Sequence, residues 1–354
     1  MPRSNDQRLT LAIAVDLPED ECALIREREP RVRLVRTGAL ARPRRYDSDW
    51  VGDPAFTRSD ADERAYREIL ESADAVVGLP DDSPEKLAAL LRSNPKLRWV
   101  HTMAAGGGAQ VKAAHLSSEE LERVTFTTSA GVHGSTLAEF AIFGLLAGAK
   151  NLRDLEDDQR AHVWPTIRAH PRHLDEMTVL VLGLGGIGKA VASRLKAFGS
   201  EVWGMSRSSR PIENVDRIVP RTDLHDALSR VDAVVVTLPG TDETRHMLDR
   251  EAFSSMKKGM LLTNVGRGSV IDEAALLDAL DDGTVDFAAL DVVEREPLPH
   301  EHPLWDHEKV LLSPHSAALS SQEGMRIAAI VARNATALLD GTPLTNVVDT
   351  LNFY

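Results

Sequence analysis

Gly183-Leu184-Gly185-Gly186-Ile187-Gly188 follows the near-continuous apolar run Thr178 to Leu182 and precedes an amphipathic stretch that begins Lys189-Ala190-Val191. That order of strand, glycine turn and helix is the local signature of a dinucleotide-binding turn. Gly183 permits the tight turn, Gly185 lets the main chain approach a pyrophosphate, and Gly188 lets the helix pack on the strand. The amides that open the helix, from Gly185 through Gly186 and Ile187, then face the phosphates. A lone motif of this kind is weak, so the rest of the chain must supply a parallel-sheet context.

Outward from that turn, short apolar runs alternate with longer helical patterns, which is the mark of parallel α/β architecture. The first series has candidate strands at Leu9 to Val15, Val32 to Val35, Ala75 to Gly78, Leu97 to His101 and Val124 to Thr127. The second has Thr178 to Leu182, Glu201 to Met205, Ala233 to Thr237, Met260 to Asn264, Ala288 to Val292 and Val310 to Leu312, six strands that suit a doubly wound dinucleotide domain. Between the series, Gly131 to Lys150 reads as a helix crossing between domains, with Thr136 and Glu139 at capping-box spacing. Gln322 to Leu339 is a last helix with no sheet of its own left to cover, so it is expected to return to the first domain. The expected class is α/β with two doubly wound parallel-sheet domains. A Rossmann-type cofactor domain, residues 131–316, is inserted into a flavodoxin-like substrate domain split between residues 1–130 and 317–354. The polar, proline-bearing segment Gly38 to Asp62 reads as an irregular insertion in the first of these parts.

The chain has 354 residues, 43% hydrophobic and 27% charged, enough for two domains with sizeable cores. A formal net charge of −13 opposes non-specific attraction to nucleic acid or to an anionic membrane, so neither is an expected partner. Arg42-Pro43-Arg44-Arg45 accordingly reads as a solvated loop. The single cysteine, Cys22, excludes an internal disulfide, reads as a core residue and fits a reducing compartment. Leu9 to Val15 is too short for a secretory signal, and no run approaches ~18 apolar residues, so a cytoplasmic protein is expected. The histidine groups His300, His302, His307 and His162, His170, His173 lack the cysteine or carboxylate spacing of a closed metal site, and no metal is expected.

In an open α/β sheet, ligands collect beyond the carboxyl ends of the strands. Arg267 follows the strand ending at Asn264-Val265, Glu296 follows Leu290-Asp291-Val292, and His315 follows Leu311-Leu312-Ser313-Pro314. A guanidinium can bind a carboxylate and polarise an adjacent carbonyl, an imidazole can shuttle a proton near neutral pH, and a carboxylate can orient and charge that imidazole. Each alone on a loop is ordinarily just solvated. Joint placement on three strand ends favours carbonyl reduction beside a nicotinamide.

At this point the chain resembles the D-isomer-specific 2-hydroxyacid dehydrogenases across almost its whole length. The resemblance rests on Gly183 to Gly188, Leu238-Pro239 with Glu243-Thr244, Asn264-Val265-Gly266-Arg267-Gly268, Leu290 to Pro297, His302-Pro303-Leu304-Trp305 and Ser313-Pro314-His315. It implies that Arg267 binds the 2-oxo acid, that His315 is the acid/base and that Glu296 pairs with it. It also implies cofactor contacts from Gly185, Gly186, Ile187, Leu238, Pro239, Val265, Asp291 and His315, and a homodimer built largely through the cofactor domain. Thr102 to Gly108 resembles the family's substrate-carboxylate loop, with the N–H groups of Ala105 and Gly106 holding the anion; composition alone reads it equally as a strand-to-helix turn. His133 stands where many relatives carry asparagine.

Cofactor choice is read from the end of the second strand of the cofactor domain. An NAD-binding chain commonly places Asp or Glu there for the ribose 2′-hydroxyl, whereas this one has Met205-Ser206-Arg207-Ser208-Ser209-Arg210. Arg207 with Ser206 suits a 2′-phosphate, so NADP(H) is expected over NAD(H); the other reading has Arg207 stacking on adenine or facing water. The expected function is hydride transfer between NAD(P)H and a 2-oxo acid. The alternatives are a formate- or phosphite-type dehydrogenase and a non-catalytic, cofactor-sensing binding protein of the corepressor kind. No regulatory extension is expected after the final helix.

Overall fold

The computed structural model describes residues 8–168, 170–206, 210–351 and 353. The chain divides into two compact units, one formed by residues 1–133 with 319–354 and the other by residues 134–318.

In the first unit, β1 (Leu9–Ile13), β2 (Val32–Arg36), β3 (Ala75–Val77), β4 (Trp99–Thr102) and β5 (Thr125–Thr128) form a wholly parallel sheet in the order β2-β1-β3-β4-β5. This is the flavodoxin-like order. The helix of the C-terminal return, Glu323–Asp340, buries Ile327, Ala328, Val331 and Ala335 with Cys22 and Ile25 of the helix Glu19–Arg28. Cys22 is fully buried, and burial pushes its thiol up to about 11, which makes it an inert core residue. The segment after β2 is largely irregular up to the helix Asp60–Glu71, but its arginines are not simply solvated. Arg42 donates to the Asp81 carbonyl at 3.0 Å, and Arg45 grips the Asp49 carboxylate at 2.7 and 3.0 Å.

In the second unit, β6 (Thr178–Leu182), β7 (Glu201–Met205), β8 (Arg217–Val219), β9 (Ala233–Val236), β10 (Met260–Asn264), β11 (Val285–Leu290) and β12 (Val310–Leu312) form a parallel sheet ordered β12-β11-β10-β9-β6-β7-β8. The direction of strand addition reverses between β6 and β9, which is the Rossmann switch point. β8 is a seventh strand beyond the six expected; at three residues, Arg217-Ile218-Val219 is too short to show a period. Strands β6, β9 and β10 are buried on both faces because helices cover both sides.

The helix Gly134–Ala149 lies wholly in this unit and packs directly on β10 and β11. A Cβ at Gly144 would sit 2.5 Å from the Ala289 Cβ and 2.7 Å from the Thr263 Oγ1, so only glycine permits this approach. Thr136, expected to cap this helix, lies inside it. The helix starts two residues before Thr136, whose hydroxyl sits in the first turn and donates to the Ala318 carbonyl at 3.2 Å.

Candidate active site

β6 ends at Leu182 and Gly183 turns the chain with φ +99°, a left-handed conformation that glycine adopts without strain. A Cβ at Gly188 would lie 1.9 Å from the Gly183 carbonyl oxygen, so the first turn of the helix Gly186–Ala197 can close on the strand end only with glycine there. The Thr237 hydroxyl, at the end of β9, donates to the same carbonyl at 2.7 Å and pins it. Gly185 caps the helix without any side-chain hydrogen bond, and a Cβ there would meet nothing within 4 Å. Gly185 and Gly186 are exposed at the positive end of this helix, a cradle that fits a pyrophosphate. Beside it, Leu238-Pro239 is held by Thr244, whose hydroxyl reaches the Pro239 carbonyl at 2.6 Å and accepts from the Thr241 N–H at 2.9 Å.

The loop after β10 is clamped by Asn264, fully buried, whose amide nitrogen donates to the Arg267 carbonyl and whose oxygen accepts from the Gly266 N–H, both at 3.0 Å. Val265 is buried in the apolar core, while the Arg267 side chain stands exposed and reaches the Gly266 carbonyl at 2.7 Å.

After β11, Asp291 is 1% exposed and organises the next loop. Its Oδ1 accepts from the Ser313 hydroxyl at 2.7 Å and from the N–H groups of Ser316 and Ala317 at 2.9 Å each. Its main-chain carbonyl accepts the His315 N–H at 2.9 Å. These bonds hold His315 at φ +54°, a left-handed conformation that costs a non-glycine residue on the order of 1 kcal/mol. His315 Nδ1 meets Glu296 Oε2 at 2.7 Å, and Glu296 Oε1 accepts from the Val293 N–H at 3.2 Å. The imidazole is 46% exposed and the carboxylate 37%, so both reach solvent. The second oxygen of Asp291, Oδ2, is buried without a partner among the described residues.

Of the residues singled out from sequence, Arg267, Glu296 and His315 thus emerge on the strand ends of one sheet, with Gly185, Gly186, Ile187, Leu238, Pro239, Val265 and Asp291 on the same edge. Ser206 and Arg210 belong to the segment after β7; Arg207 lies outside the described residues. Asn264, Thr237, Thr244 and Ser313 carry no sequence signal of their structural roles, because each works through a turn that only the folded backbone reveals.

In the first unit, β4 leads into the loop that carries Ala105 and Gly106, both exposed. His133 instead faces inward, with Nε2 3.1 Å from the Glu323 Oε1 that also accepts the Trp50 indole N–H at 2.8 Å. Burial raises the Glu323 carboxyl, yet the bonds from His133 and Trp50 outweigh it and leave the group lowered.

Residues 142–317 match the family described as D-isomer specific 2-hydroxyacid dehydrogenase, NAD binding domain. A glyoxylate reductase of Aeropyrum pernix is 34% identical over 73% of this chain and 78% of its own length. Glyoxylate/hydroxypyruvate reductase B of Serratia proteamaculans is 32% identical over 80% of this chain and 86% of its own. The crystal structure of a D-isomer specific 2-hydroxyacid dehydrogenase from Xanthobacter autotrophicus, in complex with NADPH, superposes with a TM-score of 0.77 at 30% identity, covering 98% of this chain and 100% of that one. The chain belongs to the D-isomer-specific 2-hydroxyacid dehydrogenase family and is an NAD(P)-dependent oxidoreductase acting as a 2-oxo acid reductase.

Proposed function

We propose that this protein reduces small 2-oxo acids of the glyoxylate and hydroxypyruvate type, with NADPH preferred over NADH. The observation that carries the reading is the 2.7 Å His315–Glu296 pair on a sheet edge shared with Arg267 and the glycine cradle. The nicotinamide cofactor, when bound, supplies the hydride. The opening amides at Gly185, Gly186 and Ile187 would hold its phosphates, Leu238, Pro239 and Val265 would flank it, and the orphaned Asp291 Oδ2 would offer it a hydrogen-bond acceptor. Ser206 and Arg207 bind the 2′-phosphate, in keeping with the NADPH complex of the Xanthobacter relative and with the lack of a carboxylate at the end of β7.

Arg267 binds the substrate and stabilises charge developing on the carbonyl oxygen. His315 Nε2 donates the proton to that oxygen, while Glu296 holds Nδ1 and stabilises the charged ring. In the first unit, the N–H groups of Ala105 and Gly106 bind the substrate carboxylate. The test is loss of nicotinamide absorbance with NADPH and NADH in parallel across a panel of 2-oxo acids. Faster turnover with NADPH on glyoxylate or hydroxypyruvate is expected; NADH preference would overturn the cofactor assignment, and turnover confined to bulky 2-oxo acids the substrate assignment.

The working form is proposed to be a cytoplasmic homodimer. Leu155, Val163, Trp164 and Ile167 are 58%, 52%, 85% and 91% exposed within one short stretch of the second unit, an apolar surface that suits a second copy. Sedimentation at the monomer mass would count against the dimer, and cell fractionation checks the compartment.

A further inference from the structure

We infer that His101 is a positioning residue for the substrate carboxylate: a buried, one-directional chain of hydrogen bonds from Trp99 through Thr127, His101 and Ser129 to the Thr102 carbonyl fixes the peptide from which the Thr102–Gly108 loop springs. The inference rests on the reading of Ala105 and Gly106 as the anion-binding amides.

Trp99 and His101 alternate on β4, Thr127 lies beside them on β5, and Ser129 follows one residue past the end of that strand. His101, Thr127 and Ser129 are fully buried, as is Trp99. The links are Trp99 Nε1 to Thr127 Oγ1 at 2.8 Å, Thr127 Oγ1 to His101 Nδ1 at 2.8 Å, His101 Nε2 to Ser129 Oγ at 3.1 Å and Ser129 Oγ to the Thr102 carbonyl at 3.3 Å.

The chemistry of the two ends sets the direction. An indole N–H only donates and a carbonyl only accepts. Thr127 Oγ1 therefore accepts from Trp99, and its own hydrogen goes to His101 Nδ1. Ser129 gives its hydrogen to the Thr102 carbonyl and so accepts from His101 Nε2–H. Only the neutral Nε2–H tautomer completes this chain, because the other tautomer leaves a buried hydroxyl hydrogen without an acceptor. Burial also holds the ring neutral, pushing its pKa down to about 3.

Both sides of the loop are thereby tied to Thr102. Its carbonyl is held by Ser129, and its hydroxyl donates to the Ala104 carbonyl at 3.2 Å. Gly107 closes back on the same side chain, where a Cβ would come 1.8 Å from Thr102 Oγ1. Ala105 and Gly106 lie between these two closures, so the aim of their N–H groups follows the Thr102 peptide.

The test combines spectroscopy with kinetics. In long-range proton–nitrogen NMR spectra of histidine-labelled protein, one histidine should remain the neutral Nε2–H tautomer from about pH 5 to 8. A buried ring found as Nδ1–H or as imidazolium overturns the inference, whatever the variants do. Ser129→Ala removes both the bond to the Thr102 carbonyl and the acceptor of His101 Nε2–H, and should raise KM for the 2-oxo acid roughly fivefold, with kcat and NAD(P)H affinity within about twofold. Ala105→Pro removes a loop N–H directly. An unchanged KM there refutes the anion-loop reading and this inference with it. A raised KM in Ala105→Pro with an unchanged KM in Ser129→Ala refutes the relay alone.

Discussion

His315 and His101 show how differently the two units treat the same side chain. His315 is 46% exposed, pairs with a carboxylate and sits in a left-handed backbone conformation imposed by Asp291. His101 is wholly buried in a regular strand, and both its ring nitrogens meet hydroxyls. A group that exchanges protons needs access to solvent and a partner that tolerates its charge; one that fixes geometry needs neither. The carboxylates divide the same way. Glu296 reaches solvent and holds an imidazole, whereas Glu21, at 7% exposure, has an oxygen without a hydrogen-bond partner among the described residues.

The sharpest way to break the comparison is to remove the imidazole proposed to exchange the proton. His315→Gln should lower kcat for 2-oxo acid reduction by about a thousandfold, within the usual range for loss of a general acid, with a far smaller effect on NAD(P)H affinity. Steady-state kinetics with cofactor titration by fluorescence decides it, and retention of turnover would remove His315 from the reaction.

The next effect falls on the buried carboxylate and reads out as stability. Burial pushes Glu21 up to about 7 against a reference of 4.5, with the Arg44 charge offsetting only part. The folded chain thus keeps a proton that the unfolded chain has released, and stability falls as pH rises from 4.5 to about 7 and stays lower above it. Glu21→Gln should therefore be more stable than the parent by up to about 3 kcal/mol at alkaline pH, with most of the difference gone near pH 4.5. Denaturant unfolding at both ends of that window checks the sign; a pH-independent difference would mean that Glu21 carries its charge when folded.

What could be read in the sequence follows the range over which each interaction acts. Gly183 to Gly188 and its flanking strand and helix were legible because glycine turn, apolar run and amphipathic helix are contiguous. Arg267, Glu296 and His315 were legible as residues just past apolar strands. Asp291 marks the limit. The family resemblance implies a cofactor contact for it, but its three bonds to Ser313, Ser316 and Ala317 span more than twenty residues and appear only when β11 and β12 pair. The His101 relay has a faint signal, Trp-x-His in one strand and Thr-x-Ser at the end of another, which becomes meaningful only once β4 and β5 are neighbours.

The finest distinction concerns what Glu296 contributes, charge or acceptor. Two donors face it, His315 Nδ1–H at Oε2 and the Val293 N–H at Oε1. A glutamine offers one oxygen and one NH2 group, so it can satisfy only one of the two. If its oxygen serves Val293, the NH2 opposes the Nδ1–H of the charged ring; if the oxygen serves His315, the NH2 opposes the Val293 N–H. Alanine creates neither conflict and leaves Nδ1–H to water, which a ring 46% exposed can reach. Glu296→Gln should therefore lower kcat/KM about tenfold, and Glu296→Ala by no more than that, because a half-exposed ion pair contributes only about 1 kcal/mol. A glutamine variant near parental activity beside a crippled alanine variant would show that an acceptor at Nδ1 is the whole contribution and that the carboxylate charge is dispensable.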